Sequence, residues 1–284
     1  MTRTLCLHAS DADANMLYAI GMHVPDPMLW FRKGHRSYLL ASPLELGRAK
    51  RDARVTHVLD QAAWQRRLKR SLGRAPSMPE VFAAVLASKK VDQVAVPDDF
   101  PVGTADALRR AGIDVEVRPA PFFPERMRKR PDEIAAVRAA QAATERALEA
   151  ALDVLRESRS RGGVLRRKGE TVTSELLRSV IELSLAREGL VARHTIVASG
   201  EQCVDPHDAG SGPIRPNTTV ILDIFPRDTR TGYFADQTRT VVRGRASPRV
   251  REMYDVVHAG QRYAFERIRG GCDAHAIHKG IREL

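Results

Sequence analysis

Two aspartates stand where a carboxylate needs a chemical reason. Asp223 follows Val220, Ile221 and Leu222 and precedes Ile224 and Phe225, while Asp236 follows Gly232, Tyr233, Phe234 and Ala235 and precedes Gln237, Thr238, Arg239 and Thr240. Both runs have strand composition, and residues 226–231 between them have turn composition. A carboxylate inside an apolar run is costly unless it is paired or ligated. A hairpin would bring the two groups together, and they would repel unless positive charge stood between them. A pair of divalent cations supplies that charge, because carboxylate oxygens both bind and bridge such ions.

The neighbouring residues have simpler readings as well. Asp228 sits among polar residues and reads as a turn cap. Asp236 alone could pair with Arg239; beside Asp223 it reads as a metal ligand. Thr238 and Arg239 are either groups that orient the carboxylates from behind or plain surface residues of a strand. His207 lies in a loop with Asp205 and Asp208 on either side; it could donate to a tetrahedral intermediate, orient a substrate, or be an exposed loop histidine. His194, His258, His275 and His278 carry no ligand reading. The chain has no glycine-rich phosphate loop, no His-Glu-x-x-His and no Gly-x-Ser-x-Gly.

These residues need elements to hold them. Strands are expected at 37–42, 56–59, 93–97 and 113–117, with helices near 80–86 and 105–111 and a C-cap at Gly112. Such alternation argues for an α/β domain over residues 1–122. Pro119, Pro121, Pro124 and Pro131 then flank the basic run from Arg126 to Arg130 and mark an entry into a second domain, residues 123–284. A long helix is expected from about Asp132 until Gly162 and Gly163 break it. A second covers 172–188, with Thr171 as N-cap and Gly189 as C-cap. A strand at 195–198, a loop to Pro216 and the aspartate hairpin follow. Further helices are expected at 250–269 and from Asp273 onward.

The bulk properties set outer limits. The 284 residues carry 43% hydrophobic residues, 5% aromatics and a formal net charge of +11. The basic balance admits an anionic partner, but the arginines are scattered and aromatics few, so nucleic acid is not expected as a partner. Cys6, Cys203 and Cys272 lie far apart without metal-type spacing. The N-terminal residues show no signal-peptide core and no run approaches about 18 apolar residues. A cytoplasmic protein without a membrane segment is the expectation.

In order along the chain, several features resemble the M24 metallopeptidases of the creatinase, prolidase and Xaa-Pro aminopeptidase group. They are the α/β first domain, the run from Arg126 through Pro131, Asp132, Glu133 and Ile134 into a long helix, Gly169-Glu170-Thr171-Val172, Ala198-Ser199-Gly200-Glu201 with Pro206-His207, and the Asp223/Asp236 pair ending in Thr238-Arg239-Thr240. The resemblance implies an α/β (α+β) protein with a creatinase-like N-terminal domain and a pita-bread catalytic domain. It implies two divalent ions, with manganese expected and cobalt, zinc or iron compatible, held in part by Asp223 and Asp236. His207 matches the histidine that lies near the scissile bond. The implied reaction is hydrolysis of the bond before proline in a peptide or dipeptide by a hydroxide that the metals activate, and the implied assembly is a homodimer.

One departure bears on these expectations. The family's remaining ligands, one histidine and two glutamates, should follow well after Asp236, and His275 and His278 lack the glycine-rich setting of the ligand histidine. The pita-bread domain is therefore expected to be incomplete, as in a C-terminally truncated chain. Two rival functions stay open: a catalytically inactive pita-bread binding module or degenerate fragment, and a metal-free hydrolase of the creatinase type, against which the retention of both aspartates speaks.

Overall fold

A computed structural model describes residues 3–284; Met1 and Thr2, the start of the stretch read above for a leader, lie outside the described residues. The chain divides into two compact units, Met1–Lys129 and Arg130–Leu284. Among the described residues, no helix is long and apolar enough to cross a membrane.

The first unit contains strands β1 (Thr4–Ala9), β2 (Met28–Lys33), β3 (Arg36–Ala41), β4 (His57–Asp60), β5 (Gln93–Val96) and β6 (Asp114–Val117), with helices α1 (Ala14–Ile20), α2 (Leu46–Asp52), α3 (Gln61–Leu72), α4 (Met78–Ser88) and α5 (Val102–Arg110). One sheet of order β4-β3-β2-β1-β5-β6 runs through it. The β1–β2 and β2–β3 pairs are antiparallel, whereas β1–β5, β3–β4 and β5–β6 are parallel. Alternation along β1 sends Cys6 into one core, with Phe31, Leu86 and Leu108, and Leu5 and Leu7 into the other, with Met16, Trp30 and Phe123. A sheet covered on both faces is the α/β layering that the strand–helix alternation anticipates. The proline-rich stretch after β6 stays with this unit, because Phe122 and Phe123 are buried in its core.

The second unit opens with α6 (Pro131–Glu157), then β7 (Arg159–Arg161), β8 (Val164–Arg167), β9 (Glu170–Thr171), α7 (Ser174–Arg187), β10 (Leu190–Val191), β11 (Ile196–Ser199), β12 (Thr219–Ile224), β13 (Arg227–Asp228), β14 (Gln237–Val242), α8 (Pro248–Arg267) and α9 (Ala274–Arg282). Pro131 occupies the first turn of α6, where its missing N–H costs nothing. The small residues Ala140, Ala143, Ala147 and Ala151 give α6 a buried stripe against Leu177, Ile181 and Leu185 of α7. Val220, Leu222 and Ile224 of β12 are buried in the same core, so the residues between them turn to the other face.

Two expectations about this unit are corrected. Gly162 and Gly163 do not break the long helix, which ends at Glu157; both adopt positive φ (61° and 77°) and form the two-residue turn between β7 and β8. A two-residue hairpin turn of type I′ requires positive φ at both central positions, which glycine adopts freely. The N-cap of α7 is Thr173, whose side chain accepts from the Leu176 N–H, while Thr171 is drawn into β9 opposite Arg166.

Candidate active site

β12 is the centre of the antiparallel sheet β11-β12-β14. Its burial alternates: the even-numbered residues face the core, and Ile221 and Asp223 face away. The register pairs Asp223 with Thr238 and Ile224 with Gln237. Asp236 lies just ahead of β14 and in phase with Thr238, so it is the diagonal neighbour of Asp223, a relation that spans roughly 7–8 Å between strands. Asp223 and Asp236 therefore share a face without standing directly opposite. The Thr238 hydroxyl donates to Asp223 Oδ1 at 2.5 Å. Asp223 is partly buried and Asp236 exposed, and Asp236 makes no hydrogen bond or ion pair with a described residue.

Strand alternation separates Thr238 from Arg239. Arg239 is opposite Leu222, on the other face, and its guanidinium donates to the Thr238 carbonyl at 2.8 Å. It pairs with neither aspartate. Gln237 is also turned away from the aspartates; it is buried, and its Oε1 accepts from Gln141 Nε2 of α6 at 3.0 Å. That bond ties the root of β14 to the long helix and leaves Asp236 pointing outward.

The connection between the aspartates is more elaborate than a turn. β13 lies within it and pairs with β10. The buried Asp228 carboxylate accepts the N–H groups of Arg230 and Thr231, the cap that its polar surroundings suggested. Burial raises the Asp228 pKa, but those bonds and nearby Arg230 outweigh it and hold the group below the usual aspartate value. Farther along, the Tyr233 hydroxyl donates to Glu133 Oε1 at 2.5 Å, and Glu133 Oε2 accepts from the Arg130 N–H at 2.7 Å. Burial pushes Glu133 up, but the bonds from Arg130 and Tyr233 bring it below the normal glutamate value; burial and Glu133 together push Tyr233 up to about 12.

His207 is exposed, and its backbone N–H is held by Asp205 Oδ1 at 2.9 Å. The loop carrying it is clamped from α7: the Arg178 guanidinium donates to the carbonyls of Thr195, Ala209 and Gly210. Gly210 has φ +78°, and a Cβ there would come 1.8 Å from the Val197 carbonyl oxygen, so the loop lies on β11 only because this residue has no side chain. Arg178, Glu133 and Gln141 are supporting residues that sequence reasoning misses. Their bonds to Thr195, Ala209, Gly210, Tyr233 and Gln237 span 17 to 100 positions, and no local pattern signals such pairings.

Among the described residues, no group of three or more His, Cys, Asp or Glu side chains could hold a metal ion. His207 thus does not join the aspartates in one ligand cluster. The pair itself offers hard oxygen donors of the kind divalent ions favour. The carboxylate of Asp236 has no protein partner, and one oxygen of Asp223 is oriented by Thr238. These donors fit a divalent cation, and they would fill part of its coordination shell.

Residues 135–284 match the sequence model of metallopeptidase family M24. The Xaa-Pro dipeptidase of Lactobacillus helveticus is 28% identical over 171 residues, 57% of this chain and 42% of that protein. The probable dipeptidase PepE of Mycobacterium tuberculosis is 28% identical over 214 residues, 75% of this chain and 50% of that one. The chain spans about half or less of the length of these curated relatives. Among solved structures, the X-Pro aminopeptidase from Thermotoga maritima superposes with a TM-score of 0.77 at 18% identity, over 99% of this chain and 74% of that one. The prolidase from Pyrococcus horikoshii gives 0.74 at 20% identity, over 99% and 72%. At such identities the likeness speaks for the fold: a creatinase-like α/β unit followed by a pita-bread unit.

Proposed function

The chain belongs to metallopeptidase family M24, and from that premise we propose that it serves hydrolysis of the peptide bond before proline in dipeptides or short peptides, with divalent metal held in part by Asp223 and Asp236. The observation that carries this reading is the shared face of the two aspartates, with Thr238 bonded to Asp223 and Asp236 left without a protein partner. The names of the relatives, Xaa-Pro dipeptidase and Xaa-Pro aminopeptidase, support the substrate class. Two ions, manganese first among the candidates, and a homodimeric assembly belong to the same proposal.

When bound, the metal would polarise the scissile carbonyl and lower the pKa of water. The chain's own residues do the rest. Asp223 and Asp236 supply anionic oxygens, and Thr238 fixes the rotation of the Asp223 carboxylate. The Gln141–Gln237 bond keeps β14 seated so that Asp236 faces outward. His207, on a loop clamped by Arg178, is assigned the donor that orients the substrate carbonyl or stabilises charge developing on it. The Asp228 cap and the Tyr233–Glu133 bond brace the long connection that delivers Asp236.

A Leu-Pro hydrolysis assay with added Mn²⁺ tests the reading. Metal-dependent turnover that falls at least about 100-fold in both Asp223→Asn and Asp236→Asn is expected. Turnover that survives chelation, or either substitution, would overturn it. A second reading, a pita-bread module that binds without catalysis, draws on the absence of a three-ligand cluster among the described residues. It predicts peptide binding without turnover in the same assay.

A further inference from the structure

The first unit holds a cavity of about 370 Å³ that none of the peptidase chemistry uses. Its floor is one cross-strand row. Arg32 of β2 pairs with Leu5 of β1, Leu5 with Ala95 of β5, and Ala95 with Glu116 of β6. Directly paired residues project on the same side of a sheet, so the row presents an arginine, two apolar side chains and a glutamate together. Arg3, two residues before Leu5, is in phase with it. Arg118 and Pro119, from the segment leaving β6, complete the wall.

The charges in this cavity do not balance. Three guanidiniums line it against one carboxylate. Arg3 pairs with Glu116, and Arg32 reaches Glu125 at 3.3 Å while lying over the Phe123 ring. Arg118 is different. Its backbone N–H donates to the Val96 carbonyl; the residue is half-buried, and its guanidinium has no hydrogen-bond or ion-pair partner among the described residues. A guanidinium without a protein acceptor is available to an anion, and its planar fork matches a carboxylate or phosphate in two-point contact. Leu5 and Ala95 beneath it form an apolar base that strengthens such contacts by excluding water. The volume falls at the small end of the range for small-molecule sites, roughly 300–1,000 Å³.

We infer that this cavity is a binding site for a small organic oxyanion. The anion's carboxylate or phosphate oxygens are gripped by Arg118 with Arg32, its compact apolar body rests on Leu5 and Ala95, and Arg3 closes the positive rim from its pairing with Glu116. The site does not depend on the metal-site reading, because no residue of it belongs to the aspartate pair or its supports.

Isothermal titration of the whole chain, freed of metal by chelation, with inorganic phosphate and separately with succinate tests the inference and tells the two oxyanion chemistries apart. Saturable one-to-one binding of at least one anion is expected. Arg118→Gln should weaken it by about tenfold or more, the effect of losing charge-assisted hydrogen bonds. Arg118→Lys, which keeps the charge and loses the fork, should weaken it in the same direction. Arg110→Gln, at an exposed arginine in the last turn of α5, should leave affinity unchanged. Unaltered thermal midpoints in all three variants would tie the losses to the site rather than to the fold. Absence of saturable binding for both anions through the millimolar range, or equal weakening by Arg110→Gln and Arg118→Gln, would overturn the inference.

Discussion

Thr238 and Arg239 are sequence neighbours that look equally suited to support the aspartates, and strand alternation separates them. Thr238 shares the face of Asp223 and donates to it; Arg239 faces away and serves its neighbour's carbonyl. The sequence reveals Asp223 because a charge inside an apolar run is conspicuous, yet it cannot set the register that decides which follower of Asp236 turns toward the carboxylates. Thr238→Val keeps the shape and removes the donor. Mn²⁺ affinity should fall by about 10- to 100-fold, while stability should move by less than about 1 kcal/mol at this exposed position. Unchanged affinity would show that Asp223 needs no orienting bond.

At the scale of elements, the long connection between β12 and β14 depends on the bond from Tyr233 to Glu133 at the start of α6. Tyr233→Phe leaves one buried Glu133 oxygen without its donor, a cost of about 1–3 kcal/mol at neutral pH. The pH dependence has a definite sign. Glu133 titrates below its unfolded value, so its stabilisation is complete above that value and is lost as pH falls through the folded pKa. Tyr233 is raised to about 12, so its share is present below its unfolded value near 10 and lost as pH rises through about 12. Denaturant unfolding should show the largest gap between wild type and Tyr233→Phe from neutral pH up to about 10, narrowing toward both extremes. A gap independent of pH would mean that the bond is not the source.

The His207 loop gives a second test at this scale. Arg178→Gln removes the clamp from the Thr195, Ala209 and Gly210 carbonyls. Amide exchange at Ala209 and Gly210 should accelerate by about tenfold or more, with α7 itself little changed. Exchange unchanged in the loop would assign its order to the Gly210 packing and to the bonds from the Val197 N–H to the Ala209 carbonyl and from the Gly210 N–H to Asp208. Neither the clamp nor the glycine contact is legible in sequence. Gly210 reads there as an ordinary loop residue, because the Val197 carbonyl it must avoid is brought near only by the fold.

Across the whole molecule, the legible elements were those with a clear period or cap. β5, α5, β6, α7, β11 and α8 fall close to their expected positions because apolar alternation and helical spacing are local signals. β1, β2, α1, α2 and α3 gave no such signal. β1 is buried on both faces and mixes Thr4, Cys6 and His8 with its leucines, so it shows no simple alternation. α3 has four basic residues among twelve and no fully buried side chain, so its sequence resembles solvated surface. The Gly162-Gly163 pair carries a turn signal, and only the pairing of β7 with β8 decides between a helix end and a hairpin. At the other end of the chain, α8 packs against α9 while Met253, Tyr254, Val257 and Phe265 remain exposed, so the apolar residues of this helix are not core in this structure.

The central claim is that Asp223 and Asp236 together hold divalent metal, and equilibrium binding of Mn²⁺, followed by the loss of the free-ion electron paramagnetic resonance signal, tests it most directly. Wild-type protein should take up Mn²⁺ saturably. Asp223→Asn and Asp236→Asn should each weaken uptake at least about tenfold, and the double variant little further, because both act on one site. Equal uptake by all four proteins, or additive losses from two independent weak sites, would contradict the account.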